Sequence, residues 1–194
     1  SNEYFAMTRT VRSEIERIGQ IIRQFLDFAR PARLNKTPIA VNEIIMQSVN
    51  VVSAQAEAKH IRMVTGKDAQ TVINVDKNQL HQALLNILQN ALEAVDEGGM
   101  IAISATPVDQ KICIRVQDDG AGIPLEQQKR IFDLYFTSKP TGTGLGLALV
   151  HRIVTEHGGE VAVQSKAGEG TTFTLTIPIE DLQSSGSGDE HSNH

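Results

Sequence analysis

The sequence has no tryptophan, a single cysteine (Cys113), six prolines, and six phenylalanines and two tyrosines as its only aromatics among 194 residues. One cysteine excludes an intramolecular disulfide framework and argues against a cysteine-cluster zinc site. No apolar run approaches the ~18 residues that cross a bilayer, and the opening residues carry no secretory pattern. An excess of positive charge is also lacking, since 18 Lys+Arg stand against 23 Asp+Glu for a net charge of −5. Non-specific nucleic-acid binding needs a basic face, and the mild acidity argues against it, so nucleic acid is not an expected partner. A domain of this size buries roughly two-thirds of its unfolded surface and needs no metal staple. Glycine is what the chain has in quantity, and unevenly: 11 of its 15 fall between Gly98 and Gly170.

Residues 7–30 read as one amphipathic helix. Val11, Ile15, Ile18, Ile22, Phe25 and Ala29 recur at alternating spacings of four and three, an a/d seam. The seam covers about three heptads, near the lower limit for an isolated helix, and so predicts a partner helix. Pro31 stops it, and residues 31–38 read as an extended hinge. Residues 39–181 then form the main domain. Its patterns predict a helix over 41–58 with Asn42 as N-cap, strands over 61–65 and 71–75, and a long helix over 77–95 capped by Asp76. Paired strands over 100–106 and 111–117, a short helix after Pro124, a helix over 143–157 and a hairpin of 161–165 with 171–177 follow. Hairpins outnumber βαβ units, which predicts an α+β two-layer sandwich with three main helices, preceded by the long N-terminal helix. The polar Gly/Ser-rich tail, 182–194, reads as disordered, and residues 1–6 are left out of the fold.

Three constellations carry possible chemistry. On the 77–95 helix, Asn86 and Asn90 lie one turn apart at the edge of a face made by Leu80, Leu84, Ile87, Leu88, Ala91 and Val95. An amide oxygen there suits a Mg²⁺ that already carries phosphate and water oxygens, although two asparagines on a solvated flank have the same pattern. Next, Asp118-Asp119-Gly120-Ala121-Gly122-Ile123-Pro124 follows a strand. Its glycines let the backbone approach a flat ligand while the carboxylate accepts from an exocyclic amine; an ordinary Asp/Gly turn reads the same way. Finally, Gly142-Thr143-Gly144-Leu145-Gly146-Leu147 opens a helix. It is neither a P-loop nor a dinucleotide fingerprint, yet it offers backbone N–H groups and a positive dipole end to an anion, with Lys139 as a mobile cation upstream. A flexible surface loop is the alternative. Phe132, Tyr135 and Phe136 precede it as apolar anchors or as core.

Taken together and in this order, these segments resemble the ATP-binding domain of bacterial sensor histidine kinases, within the superfamily shared with gyrase, Hsp90 and MutL (the Bergerat fold). The resemblance rests on an N box at 81–91, a G1 box at 118–122, an F box at 131–139, a G2 box at 142–147 and the closing Gly168-x-Gly170-Thr171-Thr172-Phe173 hairpin. It implies a mixed sheet of about five strands and a site for ATP and Mg²⁺. Asn90 then corresponds to the metal ligand, with Asn86 one turn before it. Asp118 matches the adenine-amine acceptor, with Gly120 and Gly122 beside the base. Gly142, Thr143, Gly144, Leu145 and Gly146 match the phosphate lid, with Phe136 at its edge and Lys139 as its cation. Thr172 matches a position near the adenine floor. ATP-hydrolysing branches carry a glutamate base at the position of Asn86, and an amide takes no proton at neutral pH. The resemblance therefore implies transfer of the γ-phosphoryl group to a histidine, which passes it to a response regulator receiver domain. The runs Asn90-Ala91-Leu92-Glu93-Ala94 and Phe136-Thr137-Ser138-Lys139-Pro140 are similar to the nitrogen-regulation-like kinases.

Two features depart from the family. Leu134 stands where the F box usually carries proline, and none of His60, His81, His151, His157, His191 and His194 sits in the acidic-flanked context of a phosphoacceptor. Residues 1–30 instead resemble the second helix of the dimerisation and phosphotransfer hairpin. The expectation is a kinase truncated before its acceptor histidine, homodimeric at full length, with that histidine on its own or the partner subunit. The location implied is cytoplasmic, with inner-membrane attachment at full length where the protein carries spans. The alternatives are an ATPase of the gyrase/Hsp90/MutL branch, an anti-sigma-type serine kinase, and a nucleotide-sensing module without transfer.

Overall fold

The computed structural model describes residues 7–9, 11, 12, 14, 15, 18, 19, 22, 25, 26, 34–66, 70–139 and 142–179. The expectations for residues 1–6, for Ala29 and for the 182–194 tail lie outside these. The described residues between 7 and 26 are helical, and Val11, Ile15, Ile18, Ile22 and Phe25 are each about half exposed, at 49–65%. The seam is therefore uncovered along its described length.

The main domain has two layers. Strands β1 (Thr37–Ala40), β2 (Arg62–Thr65), β3 (Val72–Val75), β4 (Met100–Val108), β5 (Lys111–Asp118), β6 (Glu160–Lys166) and β7 (Gly170–Pro178) alternate with helices α1 (Val41–Ala58), α2 (Lys77–Ala94), α3 (Leu125–Gln128) and α4 (Gly146–Glu156). Five strands form one mixed sheet in the order β2-β4-β5-β7-β6, in which the β2–β4 pair is parallel and the rest antiparallel. β1 and β3 form a separate antiparallel pair. Helix α2 packs between α1 and α4 over the inner face of the sheet. The core between the layers is aliphatic: Leu84, Ile87 and Leu88 of α2 and Ile103, Ile112 and Ile114 of the sheet are fully buried. Burying each such side chain stabilises the fold by roughly 1.5–3 kcal/mol. With helices to one side, the strands alternate, as in the buried Ile112, Ile114, Val116 and Asp118 of β5.

Asp76 caps α2 as the sequence predicts. Its Oδ1 accepts from the N–H groups of Asn78 (3.0 Å) and Gln79 (3.1 Å), and its Oδ2 accepts from the N–H of Asn35 (3.0 Å). The same residue's N–H donates to Nε2 of the buried His157 (3.0 Å), whose Nδ1 carries its proton to the Ile153 carbonyl (2.7 Å). One aspartate thus ties the start of α2 to the end of α4.

Four boundaries differ from expectation by two residues or more. Residues 37–40, of which 37 and 38 were placed in the hinge, form β1 and pair with β3. Asn42 lies inside α1 and does not cap it: β1 runs straight into the helix, Ala40 takes the cap position, and Val41 N–H bonds to the Thr71 carbonyl at 3.0 Å. β4 continues through Pro107 to Val108, beyond the reach of β2, where the sheet tolerates a proline. α4 starts at Gly146, three residues later than predicted, because Gly144 has a φ of +67° and turns the chain out of helical geometry.

Candidate nucleotide site

Helix α2 is the ruler along which the site is assembled. Asn86, Asn90 and Glu93 follow at spacings of four and three and so share one stripe, with Asn86 and Ala94 about 12 Å apart along the axis. The Asn86 Oδ1 faces the first residue of α4, where a Cβ on Gly146 would stand 3.5 Å from it. Asn90 Oδ1 accepts from Lys139 Nζ at 3.2 Å. The same ammonium pairs with Glu93 Oε2 at 2.5 Å, and Gln89 Nε2 donates to Glu93 Oε1 at 3.3 Å. Sequence reading missed Glu93; its place three residues after Asn90, across from a lid cation, was the available signal.

Asp118 ends β5 and is flanked in register by Ile101 of β4 and Thr171 of β7. It is 5% exposed. Burial raises the carboxyl pKa, the backbone N–H groups of Gly120 and Thr171 oppose that rise, and the neighbouring Asp119 adds to it. The Gly120 N–H donates to Asp118 Oδ1 at 3.0 Å. Asp119 turns the other way and accepts from the Met100 N–H at 2.8 Å, stitching the loop to β4. Two adjacent carboxylates thus divide into one buried at the site and one structural tether.

The loop after Asp118 is clamped on both sides. Ala121 N–H donates to the Ala94 carbonyl (3.0 Å), while the Ala121 carbonyl accepts from Gly168 N–H (2.8 Å). A Cβ on Gly120 would come within 2.4 Å of the Ala94 oxygen. One on Gly122, at a φ of +68°, would come within 2.0 Å of the Lys166 oxygen. Only glycine fits either place.

Thr172, expected near the adenine floor, follows Thr171 on β7. Thr172 lies on the outer face of β7, whereas Thr171, directly opposite Asp118, is buried on the inner face. Strand alternation forces this, since neighbours on one strand point to opposite sides. Ser165 Oγ holds the Thr171 hydroxyl at 2.9 Å, donates to the Gly170 carbonyl and accepts from Ile123 N–H, both at 2.8 Å.

The lid is anchored by close backbone contact. Tyr135, with a φ of +64°, donates its N–H to the Gly144 carbonyl at 3.0 Å, and a Cβ on Gly144 would lie 2.3 Å from the Tyr135 carbonyl carbon. Thr137 Oγ1 accepts from Lys139 N–H at 3.1 Å and lies 2.1 Å from where a Gly142 Cβ would be. The Arg130 guanidinium stacks over Phe136 at 4.7 Å. Thr143 Oγ1 accepts from the Leu145 N–H at 3.4 Å. The Leu145 side chain is itself buried. No side chain caps α4, so its first N–H groups point out of the helix beside Asn86. The remaining members of the lid sequence, Pro140 and Thr141, lie outside the described residues.

The described histidines stand apart from this cluster. His81 is half-buried with Nδ1 2.8 Å from Ser48 Oγ; burial and then Lys77 lower its pKa. His60 pairs with Glu97 at 2.9 Å, and His151 lies against Phe132 with ring centres 5.7 Å apart. A shallow groove of about 290 Å³ between Phe132, Leu134 and the Ala148–Thr155 side of α4 includes none of Asn86, Asn90 and Asp118.

A buried carboxylate at a strand end, an amide-bearing helix and a glycine lid over an uncapped helix start define a nucleotide-binding α+β domain. The chain belongs to the histidine kinase-, DNA gyrase B-, and HSP90-like ATPase family, whose profile matches residues 75–181. It is 36% identical over 178 residues to the sensor histidine kinase ZraS of Escherichia coli (strain K12), which covers 91% of this chain and 38% of that protein. The chain thus spans about two-fifths of that relative's length. Among solved structures, the catalytic domain of histidine kinase ThkA superimposes with a TM-score of 0.69 at 30% identity, covering 75% of this chain and 96% of that one. ThkA in complex with response regulator protein TrrA gives 0.74 at 26% identity over 88% of this chain and 50% of that one. Full-length ShkA in complex with AMPPNP gives 0.80 at 26% identity, covering 90% and 38%.

Proposed function

We propose that the chain is the ATP-binding catalytic part of a sensor histidine kinase, handing the γ-phosphoryl group of ATP to a histidine of its own or a partner subunit. The observation that carries this reading is the convergence of groups from three distant segments on the 86–94 stretch of α2. Asn86 meets the start of α4, Asn90 meets Lys139, and Ala94 holds the Asp118–Gly122 loop. The similarity to ZraS, ThkA and ShkA supports the same function.

In this reading Asp118 accepts from the exocyclic amine of adenine, and Thr171, in place of Thr172, presents its hydroxyl beside it. Gly120 and Gly122 keep side chains off the base. Backbone N–H groups of Gly142, Thr143, Gly144, Leu145 and Gly146, with the α4 dipole, receive the phosphates, and Phe136 borders them. Lys139 supplies a mobile positive charge. The oxygens of Asn90 and Glu93 already gather round an ammonium, so this edge of α2 suits a cation, and Asn90 is the residue that would hold Mg²⁺. Among the described residues no cluster of three His, Cys, Asp or Glu forms a dedicated metal cage, consistent with an ion that arrives on phosphates. When bound, that ion neutralises part of the polyphosphate charge. Asn86 has no basic site to activate water, which favours transfer over hydrolysis. Catalysis is then positioning: the lid and α2 hold the phosphate chain in place while the acceptor imidazole attacks.

The uncovered 11–25 seam is the surface through which residues 1–30 would pair, as the second helix of a dimerising hairpin. The downstream acceptor would be a receiver domain, as the ThkA–TrrA complex suggests. No helix among the described residues is long and apolar enough to cross a membrane. The test is transfer in trans. The purified chain with γ-labelled ATP and a separately purified histidine-bearing hairpin should label the hairpin and, without it, label nothing. Retained ATP binding with no transfer to any cognate hairpin would leave a nucleotide-sensing module instead.

A further inference from the structure

We propose that Glu93 is a specificity-determining residue that makes the site select metal-complexed over metal-free nucleotide; this rests on the reading of the site as an ATP site. Lys139 is the lid cation nearest the α2 edge, and its charge is spent before any ligand arrives. Its Nζ lies 2.5 Å from Glu93 Oε2 and 3.2 Å from Asn90 Oδ1. Glu93 is itself steadied by Gln89 Nε2 at 3.3 Å. Both side chains of the pair are only partly exposed, at 39% and 44%, so screening by solvent is incomplete.

The net charge of this pair is zero, and Asn90 adds none. A polyphosphate entering here therefore finds no net positive charge from the side chains at this edge of α2, and meets the Glu93 carboxylate once Lys139 turns toward it. The penalty grows with the ligand's charge. Free ATP, with about four negative charges at neutral pH, suffers more than its complex with a dication, whose net charge is about half that. Glu93 thus shifts the work of charge neutralisation from the lid lysine to the ion that the nucleotide brings. The carboxylate lies on the same helical stripe as Asn90, three residues on, so it acts on the phosphates that an Asn90-held ion would carry.

Two variants separate charge from shape. Glu93→Gln keeps the shape and removes the charge, whereas Glu93→Asp keeps the charge on a shorter stem. ATP affinity is measured by titration calorimetry in EDTA and again in excess MgCl₂, with thermal melts to confirm folding. Glu93→Gln should tighten binding in EDTA by about tenfold and in MgCl₂ by about threefold or less, narrowing the ratio between them. Glu93→Asp should keep the parent ratio. An unchanged ratio in Glu93→Gln, with the parent binding ATP normally, overturns this inference and leaves the nucleotide reading intact. A parent that binds ATP in neither buffer overturns the nucleotide reading and this inference with it.

Discussion

Replacing Asp118 with asparagine separates what this residue does for the ligand from what it costs the fold. The carboxylate accepts from the Gly120 N–H at Oδ1 and from the Thr171 N–H, and both demand an oxygen. An asparagine that keeps its oxygen toward Gly120 must present NH₂ where the second carboxylate oxygen was. That NH₂ then meets either the Thr171 N–H or the amine of the base, donor against donor. A charge-assisted hydrogen bond contributes roughly 1.5–3 kcal/mol, so ATP affinity should fall about 100-fold. The effect on stability depends on pH. Burial raises the Asp118 pKa, so the native state holds the proton more tightly than the unfolded chain does. Parent stability is then greatest below the ordinary aspartate range and is lost as pH rises through the raised native value. Asparagine does not ionise, so its melting temperature relative to the parent's should be highest at neutral pH and should fall in acid, where the parent regains the stability that its buried charge costs. Calorimetric titration with ATP and thermal melts at several pH values measure both quantities. Binding within threefold of the parent would refute the adenine assignment. A melting-temperature difference that does not change between acid and neutral pH would refute the view that burial dominates the ionisation of this carboxyl.

Asp76→Ala removes the cap of α2, the Asn35 contact and the support of the N box together. It should cost at least the ~1–2 kcal/mol of a lost N-cap, lowering the melting temperature by several degrees, with a smaller loss of ATP affinity. Thr171→Val and Thr172→Val form a matched pair on one strand. The first removes a hydroxyl beside Asp118 and should weaken ATP binding by roughly 1 kcal/mol, whereas the second, on the outer face, should leave binding unchanged; equal effects would refute the assigned register.

Much of this protein was legible in its residue order because its signals are local. The Leu80–Leu84–Leu88 periodicity and the Asp76 cap specify α2 without reference to anything distant. The glycine runs at 120–122 and 142–146 mark where backbone must approach backbone, and the clearances at Gly122 and Gly144 give the reason. The mixed five-strand sheet and its helical layer agree with the expected α+β sandwich. Helix starts were less legible where a neighbour supplies the cap. Asn42 is a good capping residue, but Val41 finds its partner in the Thr71 carbonyl, far along the chain.

Other features are decided only by tertiary structure, because they depend on which face of one element meets which residue of another. Thr171 and Thr172 are equivalent as sequence; pairing with β5 sets the first beside Asp118 and turns the second outward. Asp118 and Asp119 are likewise two identical carboxylates until burial claims one and the Met100 N–H the other. The Lys139–Glu93 pair joins residues 46 positions apart, and no local pattern encodes that contact. The sequence by itself determined the elements, the glycine-lined approaches and the chemical inventory. The fold decided which members of that inventory face one another, since charge and hydrogen bonding act through distance in space.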